Sequence, residues 1–269
     1  MKDLKELILQ KNKTIKEKDY IKISVSNIKD LLHAPFESEK KARACHIKGK
    51  DDPDNKYYGQ STDDILDLWE SKRDRAANNG KIVDGYTEVI FEGKSEPANY
   101  KNKFSDPDTL FKLSGVEKAA EFLRQGGFNF LFREIKLEMP FTVGKKKFLL
   151  NGRLDAFFEG ADRYLLVDWK NNDAISTEGF RGEKMYGPLR DFDNCDINLF
   201  TVQLYLYIYM LKHQYGIDKP ISSCICQFPA GTPDVFYKMW APNFPYDDNT
   251  IHEMIIWCIK KKMILEDIH

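Results

Sequence analysis

Four short stretches hold side chains that could share one reaction. "LLVDWKNND" puts Asp168 and Lys170 at the end of an apolar run, "NGRLD" brings Arg153 and Asp155, "FREIKLE" brings Glu134, and "FTVQLYLY" brings Gln203 and Tyr207. Carboxylates gathered at one place repel one another and call for a cation. Oxygen donors alone favour a hard ion, Mg²⁺ or Mn²⁺. A lysine beside such an ion can orient an attacking water, help deprotonate it, and stabilise charge on a phosphate. This set suits phosphodiester hydrolysis. Acid-x-lysine spacing alone means little, because it recurs at Asp3/Lys5, Glu39/Lys41, Asp54/Lys56, Glu70/Lys72, Glu92/Lys94 and Glu134/Lys136. Convergence has to give it meaning.

Convergence requires a sheet. From about residue 131 the apolar period changes from helix to strand, with candidates "FREIKLEMPFTV", "KKKFLLNGRLDAFF" and "RYLLVDWK". Side chains alternate across a strand, so Leu166, Asp168 and Lys170 share one face and Leu165, Val167 and Trp169 the other. Asn151, Arg153 and Asp155 likewise share a face. A turn at "VGKK" pairs Val143 with Lys146, which sets Glu134 opposite Asp155 and Glu138 opposite Asn151. A loop at "EGAD", residues 159–162, pairs Phe158 with Arg163 and Asp155 with Leu166, leaving Asp155 and Asp168 as diagonal neighbours. Glu134, Asp155, Asp168 and Lys170 then form one polar patch. The competing reading is a solvent-facing sheet with ordinary cross-strand ion pairs, Arg153 with Asp168 for example. A one-residue slip would scatter the group onto both faces.

Helices supply further candidates. Gln203 and Tyr207 are i and i+4 on the long helix "NLFTVQLYLYIYMLKHQYG" and share a face. Gly80, Asp84 and Glu88 share a face if the helix capped by Ser61 or Thr62 runs through "NGKIVDGYTE", which would add a carboxylate at Asp84. Ser26 is a candidate cap for a helix in "ISVSNIKDLLHAPF". Residues 95–116, rich in Pro, Asn, Asp and Ser, read as a loop insertion before the short helix "GVEKAAEFLRQG". "HIKGKDDPDNKYYGQS" reads as a polar loop. "PISSCICQF" and "DVFYKMW" read as two more strands, and "NTIHEMIIWCIKKKM" as a closing helix capped by Asn249 or Thr250. The expected fold is α/β (α+β): a central mixed sheet flanked by helices, one domain over 1–269, with 1–130 mainly helical, 131–240 the sheet and helix core, and 241–269 a C-terminal helix.

Composition bounds the rest. With 269 residues, 42% of them hydrophobic and 31% charged, the chain reads as an ordinary soluble globular protein. The charged start lacks a signal-peptide core, so a cytoplasmic location and no membrane partner are expected. A net charge of −1 gives no bulk argument for nucleic acid. Five cysteines at irregular spacing read as buried thiols rather than as disulfides or a metal cluster. Candidate phosphate contacts are Lys145–Lys147, Lys260–Lys262, and Arg181, Lys184 and Arg190 in the loop after the triplet. That loop also carries Glu178, Glu183 and Asp191.

"GRLD" on one strand, "VDWK" on the next and "QLYLY" on the following helix resemble the PD-(D/E)xK nuclease superfamily, in particular its RecB-like exonuclease branch and the branch's phage and viral members. "ILDLWESKRDRAANNGKIVDGYTE" is similar to the branch's helical segment, and the resemblance covers roughly residues 60–230. It implies a restriction-endonuclease-like core and a Mg²⁺-dependent (or Mn²⁺-dependent) DNA exonuclease in recombination, repair or phage and viral genome processing, working in the host cytoplasm. DNA would be the partner, with other recombination or replication proteins beside it. Asp155, Asp168 and the backbone carbonyl of Trp169 would be metal ligands, Lys170 would orient the water, and Gln203 and Tyr207 would help hold DNA and the lysine. Glu88 matches the glutamate after the helical motif. Asp84 stands where the branch usually has histidine, which puts metal preference or activity in question. An endonuclease of the same fold, or a catalytically impaired DNA-binding module, are the alternatives. The four-cysteine iron–sulfur cluster of some relatives is not matched here.

Overall fold

In the computed structural model, which describes residues 4–229 and 234–267, the chain forms a mixed sheet with helices on both faces. The helices are α1 (Leu4–Lys13), α2 (Val25–Leu31), α3 (Ser38–Gly49), α4 (Thr62–Glu92), α5 (Pro97–Lys101), α6 (Pro107–Gln125), α7 (Asp196–His213) and α8 (Asp248–Asp267). The strands are β1 (Ile21–Ser24), β2 (Asn129–Val143), β3 (Lys146–Glu159), β4 (Tyr164–Lys170), β5 (Ile221–Gln227) and β6 (Lys238–Trp240). The sheet runs β1-β3-β4-β5-β6, with β2 along the other edge of β3. One face packs α1, α2, α7 and α8 over Phe148, Leu150, Leu154, Phe157 and Leu166. The other packs α4 and α6 over Ala156, Phe158, Leu165 and Val167. α7 is apolar nearly all round, and it lies buried from Thr201 to Leu211. No helix among the described residues is long and apolar enough to cross a membrane.

The pairing of β3 creates the site. β2 covers the whole of one edge, from Val143↔Lys146 to Asn129↔Glu159. On the opposite edge β1 runs parallel to Phe148–Asn151, and β4 runs antiparallel to Ala156–Glu159. β1 and β4 therefore approach each other end to end, and both leave β3 at residues 152–155. That stretch has no ladder partner on this edge. Open α/β sheets place their functional crevices where neighbouring connections diverge in this way.

The hairpin turn at Gly144 (φ +61°) and the pairing Glu138↔Asn151 match the sequence reading. The β3–β4 register does not. The connection is residues 160–163 rather than 159–162, because Glu159 stays in the strand opposite Tyr164 and the turn begins at Gly160. The register moves by two, which preserves every face and sets Asp155 directly across from Asp168 instead of diagonal to it. Alternation also fails locally. Leu154 and Phe157 both face α7, as do Ile135 and Phe132 on β2. The flip is centred on Glu134, whose backbone is left-handed (φ +51°), and on Asp155 opposite it. Arg153 is consequently exposed, and does not share a face with Asp155 as regular alternation had it.

Other expectations need correction. Ser24 rather than Ser26 caps α2, in a reciprocal capping box with Asn27. β1 is too short for its Ile21/Ile23 alternation to stand out before that helix. Residues 95–116 are largely helical: Pro107 occupies the first turn of α6, where its missing N–H costs nothing, and Asp106 caps it. α3 takes in the start of the supposed polar loop at residue 46. Asp247, not Asn249 or Thr250, caps the last helix by accepting the Thr250 N–H. Only Lys238–Trp240 of "DVFYKMW" is strand. Ser61 caps α4 as expected, and that helix passes through Gly80 and Gly85 to end at Gly93.

Candidate active site

β4 delivers Asp168 and Lys170 to the α7 face, and Trp169 to the opposite one among Phe91, Phe158 and Phe228. Asp168 is 2% exposed. Its Oδ1 accepts from Gln203 Nε2 at 2.7 Å, and its Oδ2 faces Lys170 Nζ at 2.6 Å. Breaking such a buried pair costs about 3–5 kcal/mol, because the remaining charge stays uncompensated. The Lys170 ammonium also lies 4.7 Å over the ring of Phe200, one turn before Gln203 on α7.

Asp155 closes the gap from the β3 side. Its Oδ2 accepts the backbone N–H of Trp169 at 2.8 Å, replacing a ladder bond where the strands separate. A residue in an antiparallel pair exchanges both its N–H and its C=O with one partner. The Trp169 carbonyl therefore leaves toward the same gap. Gln203 and Tyr207 face the site together. Tyr207 donates to the Arg153 carbonyl at 2.7 Å, and its ring lies against Gly152. A Cβ at Gly152 would sit 2.7 Å from Tyr207 Cε1 and 2.8 Å from Val25 Cγ2. The hydroxyl of Tyr207 is thus committed to the β3 backbone rather than to the lysine.

The electrostatics are lopsided. Burial, and then the Asp168 charge, hold the Asp155 carboxyl well above the usual aspartate range. Burial opposes the charge on Lys170, but the Asp168 and Asp155 carboxylates outweigh it and raise the ammonium above the usual lysine range. Burial and the nearby Asp84 charge raise Glu134. Asp84, Glu134, Asp155 and Asp168 thus form a row of carboxylates, in which the charge of Asp84 acts on Glu134 and those of Asp168 and Glu134 act on Asp155.

The outer members of the row have cations of their own. Arg133, nearly buried on β2, donates to the Asp84 carboxylate and lies 3.8 Å from Glu88. Glu88 also pairs with Lys94, whose hydrogen bond lowers its carboxyl. Arg153 reaches Glu134 at 3.5 Å. Asp84 and Glu88 share a helical face as expected, but that face is turned to Arg133. Of the loop candidates, Lys184 is held by Asp193 at 2.7 Å, and Arg181 stacks on Phe180 with a left-handed backbone (φ +55°). All cysteines are free.

One site residue was missed. Lys29 on α2 reaches across to Gln203 Oε1 at 2.5 Å. Burial, and then the Lys170 charge, lower its ammonium below the usual lysine range. Its only signal in the sequence is a lysine beside the Val25–Ile28–Leu32 apolar stripe.

The residues fit a hard divalent cation. Asp168 Oδ2 is buried, and the Lys170 ammonium is its one polar partner among the described residues. Asp155 retains an oxygen not used on Trp169. Among the described residues no three His, Cys, Asp or Glu side chains are grouped tightly enough to enclose an ion. Mg²⁺ does not need such a cage, since it is commonly bound through one or two carboxylates and keeps several waters.

No protein-family model matches the chain, and no curated protein does. Among solved structures that match is one described as "Crystal structure of SSO0001", with 12% identity and a TM-score of 0.37 over 97% of this chain and 84% of that one. A likeness of that size carries no argument about fold or function.

Proposed function

We propose that the chain is a Mg²⁺- or Mn²⁺-dependent deoxyribonuclease, an exonuclease by its resemblance to the RecB-like branch, serving recombination, repair or phage and viral genome processing in the cytoplasm. The observation that carries it is the facing of Asp155 and Asp168 where β3 has no ladder partner on one edge, between β1 and β4, with Lys170 on the second carboxylate. Asp155, Asp168 and the Trp169 carbonyl would hold the ion, with Glu134 and Asp84 further along the row. When bound, the ion supplies Lewis-acid polarisation of the phosphate and lowers the pKa of water. Without an ion the Asp168 and Asp155 carboxylates keep Lys170 charged; beside the ion it would orient the water and donate to phosphate oxygens as negative charge builds up. Gln203 holds Asp168, and Tyr207 holds the β3 backbone beside Asp155. Arg153 and Arg181, both exposed, are the proposed phosphate contacts, with Arg153 leaving its 3.5 Å contact with Glu134 and Lys184 its shorter pair with Asp193.

The test is degradation of linear and covalently closed circular DNA in Mg²⁺ and in Mn²⁺. Lys170→Ala and Asp155→Asn should each abolish it while the circular dichroism spectrum is unchanged. Activity surviving both changes overturns the reading. Cutting of the closed circle would favour an endonuclease. A second reading, an impaired DNA-binding module, is favoured by the Arg133 pairing of Asp84, the residue in histidine's place. It predicts DNA binding without a Mn²⁺-induced rise in Tm.

A further inference from the structure

We propose that Lys29 is a positioning residue that locks the side-chain amide of Gln203 in the one orientation that serves Asp168. The consequence for metal binding rests on the nuclease reading above, whereas the locking itself does not.

Donors and acceptors decide the orientation. A glutamine amide presents an oxygen that only accepts and a nitrogen that only donates, and the two are easily exchanged by a half-turn. Lys29 at one end is an ammonium and can only donate; Asp168 at the other is a carboxylate and can only accept. Gln203 Oε1 must therefore meet Lys29, at 2.5 Å, and Nε2 must meet Asp168 Oδ1, at 2.7 Å. The opposite orientation would set Nε2 against the ammonium and Oε1 against the carboxylate of Asp168, a residue 2% exposed to solvent. Asp168 alone would favour the correct orientation, but a long side chain held at one end keeps much of its rotamer freedom. Held at both ends, it fixes which oxygen of Asp168 is spent on α7, and so leaves Oδ2 for Lys170 and an ion.

The placement of Lys29 follows from the fold. β1 ends opposite Asn151, where the gap in β3 begins, and the capping box at Ser24 turns the chain at once into α2. Val25 packs on Gly152 and Tyr207, and Ile28 and Leu32 enter the core. Lys29, one turn after Val25, is thereby aimed at α7. It makes no ion pair among the described residues, and its hydrogen bond goes to a neutral amide. That role suits an orienting contact better than a charge-neutralising one.

The test uses the whole chain, selectively ¹⁵N-labelled at glutamine, in chelator. The Gln203 side-chain NH₂ resonances are identified by their loss in Gln203→Leu. The wild type should show two dispersed protons protected from exchange with water. Lys29→Met should move both toward the positions of a free glutamine amide and speed their exchange with water, and Lys29→Arg, which still donates, should keep them displaced and protected. Calorimetric titration with Mn²⁺ should then show about a tenfold weaker affinity for Lys29→Met, the usual effect of losing an outer-shell partner, with KM for DNA unchanged. An amide unchanged by Lys29→Met overturns the proposal. So does a raised KM with Mn²⁺ affinity intact, which would make Lys29 a phosphate contact. If the wild type neither degrades DNA nor binds Mn²⁺, the nuclease reading fails and the amide still decides the role of Lys29.

Discussion

The carboxylates fall into an inner pair and an outer group, and the two are treated in opposite ways. Asp155 and Asp168 meet where one edge of β3 lacks a partner, with Lys170 as the ammonium against them. Asp84 and Glu88 lie at the exposed side of α4, where Arg133 and Lys94 supply matching positive charge. One set is left short of a cation and the other is not. Burial explains why this matters: exposed pairs are screened and worth little, whereas inside the fold each unbalanced charge is felt strongly. Arg133 also ties α4 to β2, so the outer group is first of all a tether between layers. Clustered acids in a sequence therefore do not identify a metal site. The cations that fold against them decide which members remain available.

The largest effect should come from the inner pair. Asp168→Asn is expected to lower Mg²⁺-dependent DNA degradation roughly a thousandfold, measured as acid-soluble nucleotides released per unit time. A loss under tenfold would break the distinction. Packing gives the next contrast. Gly152→Ala should cost about 1–3 kcal/mol in metal-free denaturant unfolding, because its Cβ meets a tyrosine ring held by a hydrogen bond and a buried valine. Gly80→Ala on α4 should instead stabilise by up to about 1 kcal/mol, since a Cβ there meets nothing within 4 Å.

The same contrast shows what could be read in advance. The β2–β3 register was legible because a tight turn at Gly144 fixes it locally. The shared face of Asp168 and Lys170 followed from strand alternation, and that of Gln203 and Tyr207 from helical spacing. The pairing of the outer group was not legible, because Arg133 lies 49 residues from Asp84 and nothing local links them. Alternation broke at Glu134, since a left-handed non-glycine residue leaves no mark on a pattern of apolar residues. Lys29 lies 174 residues from Gln203 and on a helix that follows an unrecognised strand. Periodicity places side chains on elements, and it says little about which distant elements meet.

Asp84→Ala sharpens the comparison at intermediate size. If Asp84 acts on the site through Glu134 and the Arg133 tether, activity should fall about tenfold, as for outer-shell partners generally, and Arg133→Met should fall by a similar factor. A loss equal to that of Asp168→Asn would instead put Asp84 in the inner set, and would mean that the ion displaces Arg133 from it.

The smallest effect tests the imbalance directly and needs no assay of activity. Asp155 has a folded-state pKa raised above its unfolded value by burial and by Asp168. Between those two pKa values the folded state binds more protons than the unfolded one, so stability falls as pH rises. Its favourable contribution is full below the ordinary aspartate range, near pH ~4, and is lost as pH climbs through the raised value. In chelator, Asp155→Asn should therefore melt higher than wild type at neutral pH, with the gap closing as pH drops below the aspartate range. The asparagine oxygen can still accept the Trp169 N–H, so the ladder substitute survives. Adding Mn²⁺ should reverse the order, because only the wild type gains from the ion. Glu88→Gln, by contrast, should lower Tm slightly at neutral pH, since its carboxyl is lowered by Lys94 and its charge is favoured in the fold. Opposite signs for two acids on neighbouring elements would show that the inner pair alone is left wanting a cation. Equal signs would remove the electrostatic basis for treating them differently.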